Sequence, residues 1–286
     1  MTPARSLLFV PGIDGEAIRR ARNSAADVVV IDNEDGVAPG HKDEARETTT
    51  AALTDRQEGA RAEQTVGVRV NGVDTARGIE DVELFATLDA EPDFLALPDV
   101  NGSGDVSLVA DVLEEVGSDA GLLPLIEKPS AMFDVHDVAR ATERVCGLNF
   151  AAIDFQKNVG IPILDDVDLT VPRLSVSMAA SSANVLAFDK PNLAAVDDPE
   201  RTRAEAEAAK ALGYDGKLAM SVEQAEVIND AFAPTEAEVE RARRIVDAFR
   251  DADAGLVTID GVAVDRPVVE QLEGVLERAS TGTSGR

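Results

Sequence analysis

Eight short apolar runs punctuate the chain at helix-sized intervals. They are SLLFV (6–10), DVVVID (27–32), TVGVRV (65–70), DFLAL (93–97), GLLPLI (121–126), GLNFAAI (147–153), NVLAFD (184–189) and GKLAM (216–220). Each has the length of a strand, and the four β-branched residues Val28 to Ile31 mark the second as buried on both faces. Between them lie amphipathic segments, among them 103–117, 132–144, 172–183 and 199–212, with apolar residues at three- and four-residue intervals. Strand and helix alternating eight times predict an α/β fold, a (β/α)8 TIM barrel. A doubly wound open sheet fits less well. PGIDG (11–15) after the first run is a turn, not a glycine-rich phosphate loop. Beyond the eighth run the pattern changes. Residues 221–231, 235–253 and 266–279 read as helices, and TIDGVAVD (258–265) as a short extended or turn segment. The predicted organisation is a barrel over 1–232, a C-terminal helical lid extension over 233–280 and a flexible tail over 281–286.

Charge narrows the partners. The formal net charge is −27 over 286 residues, with six lysines against twenty-one arginines. Such a surface repels nucleic acid and anionic membranes. It suits a cytoplasm rich in salt, where screening weakens the self-repulsion, and reads as a halophile's surface. An ordinary acidic bacterial enzyme is the alternative. The single cysteine, Cys146, cannot form an internal disulfide, which fits a reducing, cytoplasmic setting. The sequence shows no signal peptide and no apolar run of membrane-spanning length.

The run VVVIDNEDGV (28–37) carries the strongest chemical signal. Asp32, Glu34 and Asp35 crowd the end of a buried strand, where desolvation is costly unless a metal, a cation or a substrate offsets it. Taken alone the run could equally be an acidic loop. Other charged residues fall at strand ends too: Arg69 in RVNG, Glu127 after GLLPLI and Asp154 after NFAAI. One such residue would be explained by a core ion pair. Four convergent ends mark a site, because barrel enzymes work where their strands finish. Two separated carboxylates plus waters suit a hard cation such as Mg²⁺. His41 and His136 stand alone and read as surface residues, so zinc is not expected.

A set of motifs in fixed order then carries a resemblance. RSLLFVPG (5–12), DNEDGV (32–37), HKDEAR (41–46), VRVNG (68–72), LPLIEKPSAM (123–132), FAAID (150–154), ALGYDGKLA (211–219), FAPTEAEVERARRIVDAF (232–249) and IDGVAVDRPVVEQ (259–271) span nearly the whole chain. Together they resemble the citrate lyase β-subunit-like branch of the HpcH/HpaI aldolases, which includes malyl-CoA, methylmalyl-CoA and citramalyl-CoA lyases. The resemblance implies Mg²⁺ held by Glu127 and Asp154. It implies that Arg69 grips a substrate oxygen, with Glu34 and Asp35 orienting it and the metal-bound waters. Arg5, Lys42 and Arg46 match basic positions along CoA. Asp265 matches a carboxylate that a neighbouring subunit's lid supplies as a proton shuttle, which implies a homo-oligomer, a trimer or a hexamer. The implied reaction is cleavage or formation of a β-hydroxyacyl-CoA, giving an acyl-CoA and a 2-oxo acid such as glyoxylate or pyruvate.

The chain departs from that pattern at several places. Asn33 and Gly36 replace the usual Leu and Ala, and Asp99 replaces a Lys after the fourth strand. Ala151 replaces a Gly, and Met220-Ser221-Val222 replaces I-H-P. Lys128 and Lys157 stand where small or neutral residues are usual. These changes leave the acyl-CoA and the oxo acid open. A thioesterase step after condensation, a CoA-independent aldolase acting on a free hydroxy-oxo acid, and a catalytically inactive CoA-binding regulatory subunit are the competing functions.

Overall fold

The structure, a computed structural model, describes residues 4–55, 64–163, 167–191, 196–252 and 254–282. Eight parallel strands close into a barrel in chain order: β1 (Ser6–Pro11), β2 (Val28–Asp32), β3 (Thr65–Arg69), β4 (Phe94–Leu97), β5 (Gly121–Ile126), β6 (Gly147–Phe150), β7 (Leu186–Asp189) and β8 (Gly216–Ala219). β8 returns to β1 with Leu218 opposite Leu7. The helices between them are α1 (Gly15–Arg22), α2 (Lys42–Thr54), α3 (Ala76–Ala86), α4 (Ser103–Val116), α5 (Pro129–Phe133), α6 (Val135–Ala139), α7 (Ala152–Val159), α8 (Thr170–Ala183) and α9 (Pro199–Ala211), followed by α10 (Val222–Phe232).

The expected barrel is thus present, with two local differences. The helix expected over 132–144 is two short ones broken at Asp134. Asp134 turns its carboxylate to the backbone N–H of Ser103 at 2.7 Å, capping α4 instead of extending α5. The sixth strand, read to 153, stops at Phe150, because Ala151 leaves extended geometry and opens α7.

Strand parity decides what faces inward, since alternate side chains share a face. Leu7, Val28, Val30, Phe94, Ala96, Leu123, Leu125 and Phe188 form the interior cluster. Gly67 belongs to the same layer: an added Cβ there would overlap the Phe94 ring. Two residues further along each strand, the same parity brings Asp32, Arg69 and Glu127 to the inner rim at the C-terminal ends.

The chain divides into two compact units, Met1–Asn229 and Asp230–Arg286. The second contains α11 (Glu236–Asp251), β9 (Leu256–Ile259), β10 (Val262–Asp265) and α12 (Arg266–Gly282). α11 opens on a reciprocal Thr235–Glu238 capping box. β9 and β10 pair as a hairpin whose two-residue turn, Asp260 and Gly261, has φ 53° and 78°. That left-handed pair matches the twist of a tight hairpin and suits an Asp-Gly sequence. Ile245, Val246, Val264 and Val269 form this unit's core. Of the tail expected over 281–286, residues 281 and 282 belong to α12, and 283–286 lie outside the described residues.

Candidate active site

Asp32, the last residue of β2, is 5% exposed and fully occupied. Its Oδ1 accepts from Arg69 Nε at 2.7 Å and from the Glu34 N–H at 2.8 Å. Its Oδ2 accepts from Arg69 Nη2 at 2.7 Å and from the Gly36 N–H at 2.9 Å. Gly36 is required by this close approach, because a Cβ there would overlap Asp32 Oδ2. Arg69 Nη1 meets Glu34 Oε2 at 2.7 Å, and its guanidinium carbon lies 5.4 Å from the centre of the Phe9 ring. Burial works against the charge of Arg69, but the hydrogen bonds and charge of Asp32 outweigh it and hold the guanidinium above its ordinary value. Burial raises the Glu34 carboxyl even with Arg69 beside it. Asp35 is exposed and acts on this group through its charge.

The basic residues nearby are engaged in holding the frame. Lys42 Nζ donates to the carbonyls of Asn33 and Glu34 at 2.9 and 2.6 Å, which tethers the acidic loop to α2. Arg46 binds Asp81 at 2.5 Å and Glu80 at 3.1 Å. Asp81 is fully buried and also accepts from the Asn71 N–H and Nδ2, just past Arg69. Arg5 stands elsewhere. It precedes β1 and pairs with Asp27, which precedes β2, at 2.8 and 3.0 Å. In a parallel barrel that is the N-terminal end, opposite Arg69 and Glu127, so the structure does not bring Arg5 together with Lys42 and Arg46.

Glu127 directly follows β5 and is 4% exposed. Its Oε1 accepts the backbone N–H of Asp99, and Asn158 Nδ2 donates to its carbonyl at 3.0 Å. Burial pushes its carboxyl up to about 8; the Asp99 N–H pulls back, and the charges of Asp154, Asp99 and Glu34 push further. Asp154, expected at a strand end, sits in the first turn of α7, because β6 has already stopped. Its side chain is 26% exposed and pairs with Lys157 at 3.2 Å. Among the described residues no group of three or more His, Cys, Asp or Glu is placed to hold a metal ion. An oxygen-only pair at the mouth of a barrel, one member buried without a cationic partner, fits a hard cation that keeps several waters. It does not fit an all-protein cage.

Asp265 ends β10, opposite Leu256, in the second unit. Its Oδ1 accepts the Val268 N–H at 3.3 Å and so caps α12. The sequence marks Asp32 as one of the crowded acids but assigns it no role, although period-two parity from Val28 and Val30 points it inward. The sequence reading does not mention the Asp189–Arg173–Lys217 cluster, in which Asp189 pairs with Arg173 at 2.8 Å and with the fully buried Lys217 at 3.2 Å. Parity turns that cluster away from the barrel axis, towards the helices.

A closed eight-stranded barrel with acids and one arginine gathered at its mouth defines an α/β-barrel enzyme scaffold. The model of the HpcH/HpaI aldolase/citrate lyase family matches residues 5–222, and the chain belongs to that family. Citrate lyase subunit beta of Haemophilus influenzae is 32% identical over 289 residues, covering 97% of each chain. The (3S)-malyl-CoA thioesterase of Cereibacter sphaeroides is 32% identical over 266 residues, 92% of this chain and 90% of that one. Among solved structures, the protein CitE of Mycobacterium tuberculosis in complex with magnesium, acetoacetate and coenzyme A is 27% identical with a TM-score of 0.83, covering 97% of this chain and 98% of that one.

Proposed function

We propose that this chain is a Mg²⁺-dependent carbon–carbon lyase that cleaves or forms a β-hydroxyacyl-CoA such as malyl-, methylmalyl- or citramalyl-CoA. The observation that carries the reading is Glu127: a buried carboxylate at the barrel mouth, raised by its surroundings, near Asp154 and, among the described residues, without a cationic partner. Glu127 and Asp154 would hold the ion. When bound, Mg²⁺ supplies Lewis-acid polarisation of the substrate's oxygens. Arg69, held in place by Asp32 and Glu34, offers its remaining N–H groups to the oxygen on which charge develops. Glu34 and Asp35 set the field around that guanidinium. Lys42 keeps a third N–H beyond its two carbonyl partners and is the basic residue retained beside CoA. Arg46 is held by Asp81, and Arg5 by Asp27. Asp265, presented by the 233–280 lid of a second copy in a trimer or hexamer, would move the proton at the thioester α-carbon. The setting is cytoplasmic. Among the described residues no helix is long and apolar enough to cross a membrane.

A relative named as a thioesterase, at 32% identity, favours one second reading, in which the thioester is hydrolysed. One assay separates the two. With Mg²⁺ and molar KCl, the protein is offered malyl-, methylmalyl-, citramalyl- and citryl-CoA while oxo acid and free thiol are followed separately. A lyase releases oxo acid with the thioester intact; a thioesterase releases thiol without oxo acid. Neither product from any of the four substrates would reject both readings. Mixing inactive Asp265→Ala with inactive Asp154→Asn subunits tests the shared site: partial recovery is expected, and no recovery despite proven subunit exchange rejects it.

A further inference from the structure

The ends of β4 and β5 are tied by a contact that neither the family resemblance nor the proposed chemistry uses. Asp99 lies two residues past β4 with φ 57°, in the left-handed region that a residue with a side chain seldom adopts. That conformation aims its N–H at Glu127 Oε1. Lys128, the residue after Glu127, reaches back across the same gap. Its Nζ donates to the Asp99 carbonyl at 2.7 Å, meets Asp99 Oδ1 at 3.2 Å and comes within 3.8 Å of Asp74 Oδ2. Its side chain is only 20% exposed, so the contact is more than a loose surface pair. The circuit is closed: Lys128 holds Asp99, Asp99 holds Glu127, and Glu127 is bonded to Lys128. The two departures at positions 99 and 128 therefore meet in one contact.

We propose that Lys128 is a positioning residue that keeps Asp99 in its left-handed conformation and thereby fixes the carboxylate of Glu127 for a divalent cation. The proposal rests on the reading of Glu127 as a cation ligand. A non-glycine residue at positive φ persists only where its surroundings over-determine it, and Lys128 is the group that holds both the carbonyl and the carboxylate of Asp99. Without it, Asp99 relaxes, its N–H swings away, and the carboxyl group of Glu127 loses its one backbone donor. Mg²⁺ tolerates little error in ligand geometry.

Mg²⁺ titration calorimetry on the metal-stripped, full-length protein tests this. Lys128→Met should weaken Mg²⁺ binding by about 10- to 100-fold, the usual worth of a group that orients a ligand. The Mg²⁺ concentration needed for activity should rise by the same factor, with kcat at saturating Mg²⁺ little changed. Lys128→Arg should recover most of the affinity. Adding Asp99→Gly to Lys128→Met should also recover part of it, because glycine adopts positive φ without help. Glu127→Gln is the reference. If it loses Mg²⁺ binding while Lys128→Met keeps it, the clamp is wrong and the ligand stands. If Glu127→Gln binds Mg²⁺ as before, the ligand reading fails and the clamp with it. A fall in kcat with unchanged affinity in Lys128→Met would place the lysine on the substrate and overturn the proposal. Should Lys128→Met not fold, Asp99→Asn, which removes only the ion-pair arm, should weaken binding a few-fold; unchanged affinity would then reject the clamp.

Discussion

Asp32 and Glu127 occupy equivalent places, at the inner rim where β2 and β5 finish, and both are about as buried as the barrel core. Their surroundings are opposite. Asp32 receives two N–H groups from its own loop and the fork of Arg69, so all of its acceptor capacity is used by protein. Among the described residues Glu127 receives one N–H on its carboxylate, and burial with three nearby acids raises it to about 8. The contrast separates a carboxylate that the protein satisfies for its own frame from one left for something not in the chain. Burial and charge alone do not distinguish them; the count of donors does.

The sharpest way to break the comparison is to neutralise each acid. Glu127→Gln should lower Mg²⁺-dependent turnover by about 10³-fold or more, several kcal/mol of transition-state stabilisation. Its metal-free unfolding midpoint should hold or rise. Steady-state kinetics against a urea titration checks both halves; a stable, fully active variant would remove the distinction. Asp32→Asn should do the reverse in the fold. It leaves the Arg69 charge buried with only Glu34 beside it and should cost about 3 kcal/mol of unfolding free energy. A loss below about 1 kcal/mol by denaturant titration would mean that Glu34 suffices.

A gentler test uses pH. The folded carboxyl of Glu127, at about 8, lies above its ordinary value of 4.5. Between those values the folded protein keeps a proton that the unfolded chain has released. Stability from this group is full below about 4.5 and is lost as pH rises through about 8. The melting temperature of wild type in EDTA should therefore fall more from pH 5 to 9 than that of Glu127→Gln, by a few degrees, and saturating Mg²⁺ should remove the difference at the alkaline end. Parallel curves in EDTA would count against the raised value.

The smallest effect expected is at Cys146. Burial pushes its thiol up to about 12, the same physics that acts on Glu127. Thiol labelling of the native protein at pH 8 should be slow and should speed up on unfolding; labelling as fast as a free thiol would contradict it.

Much of the barrel was legible because each strand is a run of buried apolar residues that period-two parity can orient. GLLPLI matches β5 residue for residue. Arg69 and Glu127 were reached as charged residues at strand ends, and parity explains why they face inward. What escaped was set by partners distant in sequence. Asp134 ends α5 because Ser103 waits 31 residues earlier. The engagements of Lys42 and Arg46 depend on carbonyls and acids that only the closed barrel brings near. The positive φ of Asp99 has no local signature, since Asp is common in ordinary turns. Asp265 was placed by a motif alone, and its hairpin shows a helix cap.

The Phe94 ring lying where Gly67 has no side chain gives the barrel a floor. Side chains fill the interior beneath the rim, so the barrel is a packed core rather than a pore, and the proposed chemistry would meet water from the C-terminal side. Whether the proposed site would make a carbon–carbon bond or give its thioester to water would then be decided at the rim, and the apolar plug beneath it would serve either reaction.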